Sequence, residues 1–195
     1  MDIKEKYLRN YFDKFGLNFP EEEILELVSN FSIKTYKKNE YLVNPGDLNP
    51  MFGFILEGLA KVALNTFDGK EYIQSFRKEN DIVFEYNSGL LKEPSAFAIK
   101  AIEHVTFLTC SYNDVEKLYD KDRSWERLGR YILQESFLVK YDREKELLMF
   151  DAKDRYLRFK KTNLDLFDRV SQQEIAMFIG VNPSTLNRLI KSNDL

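Results

Sequence analysis

The pattern of apolar residues changes in the middle of the chain, and this change restricts the possible folds more than any other feature. Between Ser32 and Thr109 the pattern has a period of two, which is typical of short strands. Turn residues separate the sets at Asn44-Pro45-Gly46-Asp47, at Glu57-Gly58 and at the hairpin signal Asp68-Gly69-Lys70. The alternating sets are Phe52, Phe54 and Leu56; Ala60, Val62 and Leu64; Tyr72, Gln74 and Phe76; and Phe97, Ile99 and Ala101. Such short strands predict an antiparallel sandwich or barrel.

Helical patterns precede and follow this region, so the sequence predicts an α+β fold. Two N-terminal helices are expected, one ended by Gly16 and one beginning near Pro20. Their predicted buried positions are Tyr7, Leu8, Tyr11, Phe12 and Phe15 in the first, and Ile24, Leu25, Leu27, Val28 and Phe31 in the second. The segment from Asp122 to Phe150 contains no proline and many helix formers, and it predicts one long helix.

The long helix is a candidate for dimerisation. At 3.5-residue spacing its seam is Trp125, Leu128, Ile132, Glu135, Val139, Asp142, Glu146 and Met149. The seam is apolar at its start and mixed later, as in an imperfect coiled coil. It predicts a homodimer through residues 121–150. The alternative is a helix that lies on its own domain.

Charge and residue counts limit the possible functions. The net charge is −3, but residues 151–195 carry 8 basic and 6 acidic side chains, so a contact with a polyanion is expected there. The sequence has one cysteine, Cys110, which excludes an internal disulfide and an iron–sulfur cluster. It has one histidine, His104, which excludes metal sites with several histidine ligands. His104 is expected in a turn between strands. No metal, cofactor or membrane span is predicted, and a cytoplasmic location is expected.

The stretch from Ser171 to Lys191 predicts a helix-turn-helix. Ser171 and Glu174 form a capping box that begins a short helix, and Gly180 ends it. Asn182 then caps a second helix that has Pro183 in its first position. The shared core is expected to contain Ile175, Ala176, Ile179, Val181, Leu186 and Leu189.

The second helix would enter a DNA major groove with its N-terminal residues toward the base edges. Arg188 is the strongest candidate for reading a base, because a guanidinium can bind guanine bidentately. Ser171, Gln172 and Lys191 suit phosphate contacts. The full predicted DNA-contacting set is Ser171, Gln172, Gln173, Asn182, Ser184, Thr185, Asn187, Arg188 and Lys191. The alternative is an ordinary helical hairpin with polar outer faces.

The order of these elements resembles the Crp/Fnr family of bacterial transcription regulators over nearly the whole chain. The matching pieces are the stretch from Lys37 to Asp47, Phe54-Ile55-Leu56-Glu57-Gly58, Asp68-Gly69-Lys70-Glu71 and the helix-turn-helix. The resemblance implies a sensor domain over 1–120 with a cyclic-nucleotide-binding-type β-roll, a dimerisation helix over 121–150 and a DNA-binding domain over 151–195. It implies a homodimer on a palindromic operator in double-stranded DNA.

The sequence departs from the family where a cyclic nucleotide would bind. Family members that bind one have a glycine before the ribose-binding glutamate and an arginine that holds the phosphate. Here Phe84 precedes Glu85, and Pro94 precedes Ser95. Cyclic nucleotide binding is therefore not expected, and the effector is unknown. Phe84, Tyr86, Phe97 and Ile99 either line an apolar pocket for another ligand or fill it; the candidate effector pocket is Phe84, Glu85, Tyr86, Ser95 and Phe97.

The family's wing hairpins are not expected either. The sequence reaches Leu195 a few residues after the second helix, and residues 164–168 are too few for a hairpin before Ser171. Two other functions stay open. One is a ligand-sensing or protein-binding module whose helix-turn-helix no longer reads DNA. The other, an enzyme, is disfavoured because no convergent catalytic set of residues is seen.

Overall fold

Two helices open the chain in the computed structural model, which describes residues 2–48, 51–66, 70–85 and 87–191. Helix α1 (Ile3–Asp13) begins at Asp2, whose side chain accepts a hydrogen bond from the Lys4 backbone N–H. Helix α2 (Glu21–Asn30) follows Pro20 and has three glutamates in its first turn, where they complement the helix dipole. Both predicted N-terminal helices are confirmed.

Eight strands then form two four-stranded antiparallel sheets. Their order is β1-β8-β3-β6 in the first sheet and β2-β7-β4-β5 in the second. The strands are β1 (Ser32–Tyr36), β2 (Tyr41–Val43), β3 (Met51–Glu57), β4 (Ala60–Asn65), β5 (Glu71–Arg77), β6 (Ile82–Phe84), β7 (Ala98–Ala101) and β8 (Val105–Ser111). A π-helical turn, Asn87–Leu91, follows β6. The sheets face each other as a β-roll, which confirms the predicted fold class.

Strand β3 is buried on both faces, whereas its alternation predicted one buried face. Phe52 and Phe54 pack under the helices. Met51 and Ile55 point between the two sheets, into the interior of the roll. The alternating set that the sequence predicts, with Phe52 and Phe54, is thus the side of the strand that meets the helices. Both faces are apolar because helices cover the outer face of the sheet and the second sheet covers the inner face.

A β-bulge alters the predicted pattern of β5. The pairing with β4 shifts between Val62 and Ala63, so Ile73 pairs with Ala63 and Ser75 with Val62. The extra residue places Ile73 and Phe76 in one buried cluster, although they are three positions apart. Tyr72, which the alternation assigned to the buried set, is exposed. The bulge is a feature of strand pairing that the period-two pattern of β5 does not reveal.

Two turns agree with the sequence, and one lies outside the described residues. Gly58 has φ +96°, and a Cβ there would lie 2.0 Å from the His104 carbonyl oxygen; only glycine fits this turn. His104 is exposed between β7 and β8, as predicted. The predicted hairpin at Asp68-Gly69 is not among the described residues.

The long helix is present, but the beginning of its predicted seam is buried. Helix α4 (Arg123–Met149) begins at the N-cap Asp122 and follows α3 (Tyr112–Tyr119). Trp125 and Leu128, the apolar start of the seam, are buried in the core of their own domain. The seam prediction is wrong for these two residues, because the N-terminal helices and the first sheet already cover them.

The C-terminal domain consists of helices packed on the second sheet. They are α5 (Ala152–Thr162), α6 (Leu164–Phe167), α7 (Gln172–Ile179) and α8 (Pro183–Lys191). Helix α6 lies before the helix-turn-helix, in the segment where the sequence predicts no hairpin. The segment after Lys191, where a wing would follow, lies outside the described residues. Among the described helices, none has a stretch long and apolar enough to cross a bilayer.

Candidate nucleic-acid interface and ligand pocket

The helix-turn-helix has the local geometry that its sequence predicts. The Ser171 hydroxyl accepts a hydrogen bond from the Glu174 backbone N–H, and the Glu174 carboxylate accepts one from the Ser171 backbone N–H. This reciprocal capping box fixes the start of α7. Gly180 ends the helix with φ +79°, a conformation that favours glycine. Ile175, Ala176, Ile179 and Leu186 form the buried centre between α7 and α8.

One face of α8 is polar and exposed. Ser184, Asn187, Arg188 and Lys191 are all exposed, and their spacing of three and four residues places them on one side of the helix. Leu186 lies on the opposite side and is buried. Thr185 is half-buried, whereas Asn182 in the turn and Ser171, Gln172 and Gln173 at the start of α7 are exposed. The fold leaves each predicted contact residue at least partly accessible.

Two arginines hold the C-terminal end of α7 against the rest of the molecule. The Arg143 guanidinium of α4 donates to the Phe178 carbonyl oxygen and lies 4.0 Å from the Phe178 ring centroid. Arg155 of α5 donates to the Ile179 carbonyl oxygen at 2.8 Å. The last carbonyls of a helix have no partner within it, so these arginines supply one. Burial lowers the pKa of Arg143. Through Arg143, the long helix contacts the helix-turn-helix directly.

A third arginine joins the C-terminal domain to the β-roll. Arg169 donates two hydrogen bonds to the Glu79 carboxylate, at 3.0 and 2.8 Å, and also pairs with Glu103. Both glutamates lie in turns of the roll. The paired Arg169 lowers the pKa of Glu79 to about 2. Lys78 and Asp165 form another ion pair across the same boundary.

The predicted effector residues partly converge. Phe84, Glu85, Phe97 and Ile99 line a cavity of about 90 Å³ in the roll, together with Lys140 of α4. Ser95 is buried but is not among the residues that line the cavity, and Tyr86 lies outside the described residues. Phe84 also packs against Tyr112, with ring centroids 4.5 Å apart. The rings of Phe84 and Phe97 thus form part of the cavity wall.

Glu85 is already engaged by its own turn. Its carboxylate accepts hydrogen bonds from the Ser88 N–H at 2.7 Å, the Ser88 hydroxyl at 2.8 Å and the Asn87 N–H at 3.2 Å. The Ser95 hydroxyl donates to the Phe97 carbonyl oxygen at 2.9 Å. These bonds satisfy both side chains within the protein.

Sequence reasoning missed Arg143, Arg155 and Arg169. Each contacts residues far away along the chain, and a long charged side chain on a helix has the same appearance whether it is solvated or spans two domains. Cys110 is buried in the core under the helices, and burial raises the pKa of its thiol. Over the described ranges, no group of three or more His, Cys, Asp or Glu side chains is placed to hold a metal ion.

Comparisons with known proteins agree with this architecture. Residues 33–122 match the cyclic nucleotide-binding domain family. The global regulator CLP of Xanthomonas campestris, described as c-di-GMP responsive, is 18% identical with a TM-score of 0.72, covering 90% of this chain and 92% of its own. FixK2 of Bradyrhizobium japonicum is 18% identical with a TM-score of 0.70, covering 83% of each chain.

A transcriptional regulator of the Crp/Fnr family from Eubacterium rectale shares 10% identity with a TM-score of 0.73, over 90% of this chain and 84% of that one. No curated protein sequence matches significantly. At these identities the solved structures establish a shared fold.

Proposed function

We propose that this chain, whose residues 33–122 form a cyclic nucleotide-binding domain and whose fold is that of Crp/Fnr regulators, is a sequence-specific DNA-binding transcription regulator in the cytoplasm. The observation that carries the proposal is the exposed polar face of α8. Ser184, Asn187, Arg188 and Lys191 lie on it, and the capped helix α7 stands before it. This arrangement suits a recognition helix in a major groove.

The polar residues divide into two roles. Arg188 is exposed near the middle of α8, where a guanidinium can bind guanine O6 and N7 together. Lys191, Ser171, Gln172 and Gln173 suit phosphate contacts, which position the protein without reading sequence. Asn182, Ser184, Thr185 and Asn187 supply further polar contacts along the groove.

The regulator acts as a homodimer through residues 121–150, by a different face from the one the sequence indicates. Leu133, Phe137, Tyr141 and Leu148 are all exposed on α4. Their spacing of four and seven residues forms one apolar stripe. Trp125 and Leu128 face away from this stripe, into their own core. A stripe of this kind supports pairing with a second copy of α4, which would present two recognition helices to a palindrome.

Two substitutions within one turn of α4 distinguish the two faces. Phe137→Glu places a charge on the exposed stripe and should produce a monomer in analytical ultracentrifugation. Val139→Glu makes a comparable change at an exposed position about 200° around the helix, on the predicted seam, and should leave the dimer intact. If Val139→Glu dissociated the dimer and Phe137→Glu did not, the predicted seam would be the dimer interface and the exposed stripe would not.

DNA recognition requires no cyclic nucleotide in this proposal. Pro94 stands where the family has its phosphate-binding arginine, and Glu85 is occupied by Ser88 and Asn87. Adding cAMP or cGMP should leave the affinity for the operator unchanged. An increase in affinity with either nucleotide would contradict this part of the proposal.

Selection of bound duplexes from a random pool by the purified chain tests the main proposal. We expect an inverted repeat with half-sites about one helical turn, about 34 Å, apart. Arg188→Ala should relax the preference at one base position. Lys191→Ala should weaken binding to all sequences and reduce the salt dependence by about one released counterion. Lys6→Ala, an equal change of charge at an exposed position of α1, is the control.

Enrichment of no sequence, together with no salt-dependent binding to duplex DNA, would favour a sensing or protein-binding module instead.

A further inference from the structure

A second cavity lies outside the β-roll, beneath the long helix. It has a volume of about 60 Å³ and is lined by residues of α1, α2, β3, β6, α3 and the beginning of α4. It lies on the helix-facing side of the first sheet, and Phe84 is the one described residue that also lines the cavity in the roll. The two cavities are therefore separate sites.

The walls of this cavity are apolar. Leucine side chains and the rings of Phe12, Phe54 and Trp125 line it, and none of the described residues around it is charged. Protein interiors are close-packed, and a water molecule in a cavity needs two to four polar partners. The volume equals about two waters of the liquid, but the walls offer little to bind them. The chemistry of the cavity favours an apolar occupant.

The rim differs from the interior because it carries hydroxyl groups. Tyr112 and Tyr119 line both the cavity and a groove on the surface beside α4. Gly129 lets the Tyr119 ring approach α4, since a Cβ at this position would lie 2.7 Å from the Tyr119 hydroxyl oxygen. A polar group of a ligand would meet this pair of hydroxyls as its apolar end enters.

We propose that this cavity binds a small aliphatic molecule with one terminal polar group. The aliphatic end lies against Trp125 and Leu118, and the polar group lies at the hydroxyls of Tyr112 and Tyr119. The volume of about 60 Å³ limits the buried end to about two carbons, since a cavity of about 150 Å³ holds the six carbons of benzene. The walls include both α3 and α4, so the ligand contacts the helix that reaches the helix-turn-helix through Arg143. This site is independent of DNA binding.

Trp125, the single tryptophan of the sequence, reports occupancy. The probe is 2-bromoethanol, in which bromine takes the place of the methyl group of 1-propanol and quenches tryptophan fluorescence on contact. With the full-length chain we expect quenching that saturates with concentration. Val115→Phe places a ring in the cavity and should prevent binding of the probe. Only collisional quenching, which rises linearly with the probe concentration, should then remain. Val139→Phe, the same change at an exposed position of α4, should behave as the wild type.

Linear quenching in the wild type would overturn the proposal, as would saturable quenching that Val115→Phe leaves unchanged. If circular dichroism shows that Val115→Phe does not fold, a second measurement, which needs no variant, decides whether the cavity binds the probe. Unbrominated 1-propanol should restore the fluorescence by competition, whereas glycerol at equal concentration should not. Equal effects of the two alcohols would overturn the proposal, whatever the outcome of the DNA selection.

Discussion

The two sheets of the β-roll are covered on their outer faces by different kinds of contact. The first sheet lies under α1, α2, α3 and the start of α4, and the contact is a cluster of aromatic and aliphatic side chains that includes Phe54 and Trp125. The second sheet lies under the C-terminal domain. There Phe76 meets Phe159 and Phe178, and Arg169 pairs with glutamates at the edge.

This difference separates a core that is apolar throughout from a contact in which ion pairs accompany the buried apolar side chains. An apolar core depends on burial and responds little to salt or pH. Contacts between domains are more polar than such a core, and their ion pairs respond to salt and to pH. The surface that holds the helix-turn-helix in place is thus more sensitive to salt and pH than the apolar core. The predictions below test this contrast, beginning with the largest effect.

Phe54→Ala should cause the largest loss of stability. The Phe54 ring is 1% exposed and lies 4.7 Å from the Tyr11 ring. Removing a buried ring leaves a cavity and costs about 3–5 kcal/mol of the free energy of unfolding. Urea unfolding, monitored by circular dichroism, measures this loss in the free energy of unfolding. Leu25→Ala, at an exposed position of α2, should cost under about 0.5 kcal/mol. Similar losses in the two variants would refute the core assignment.

Phe178→Ala should cost less and act mainly on the C-terminal domain. The half-buried ring lies 5.2 Å from Phe159 and 5.4 Å from Phe76, and Arg143 stacks on it. We expect a loss of about 2–3 kcal/mol, below that of a fully buried ring. Native-state hydrogen exchange should become faster in α7 while the amides of β3 keep their protection. Equal acceleration in both elements would show that the two regions unfold together.

Arg169→Ala should weaken the attachment of the C-terminal domain by about 1–2 kcal/mol, because it removes charge-assisted hydrogen bonds that are partly screened by solvent. Lys160→Ala, a loss of one positive charge at an exposed position of α5, is the matched control. Limited proteolysis between α4 and α5 should accelerate only in the first variant. If both variants were cleaved as slowly as the wild type, Arg169 would not be holding the domains together.

The smallest expected effect is a dependence on pH through Glu79. Its pKa is about 2 in the folded chain, below the ordinary 4.5, because Arg169 donates hydrogen bonds to it. The unfolded chain therefore binds a proton first, so this contribution to stability is complete above about pH 4.5 and is lost as the pH falls toward 2. The difference in unfolding midpoint between wild type and Arg169→Ala should narrow from about pH 6 to about pH 3. A constant difference would contradict the assignment.

The local elements could be read from the sequence because their signals lie within a few residues of each other. The capping box of Ser171 and Glu174 and the left-handed Gly180 are present where the pattern placed them, and the long helix lies within the predicted segment from Asp122 to Phe150. The DNA-contacting set remains a prediction, although its accessibility agrees with the fold. The α4 seam was read incorrectly at Trp125, since an apolar stripe does not state which surface covers it.

The sequence by itself determined the periodicity, the caps and the turns, because each depends on backbone preferences and on side chains within about one helical turn or strand pair. Only the tertiary structure decided which apolar face meets which layer, how the bulge turns Ile73 and Phe76 to one side, and which distant carboxylates Arg169 reaches. These features depend on contacts between residues far apart in the chain. Such contacts form only once the sheets and helices have packed together, so no local pattern encodes them.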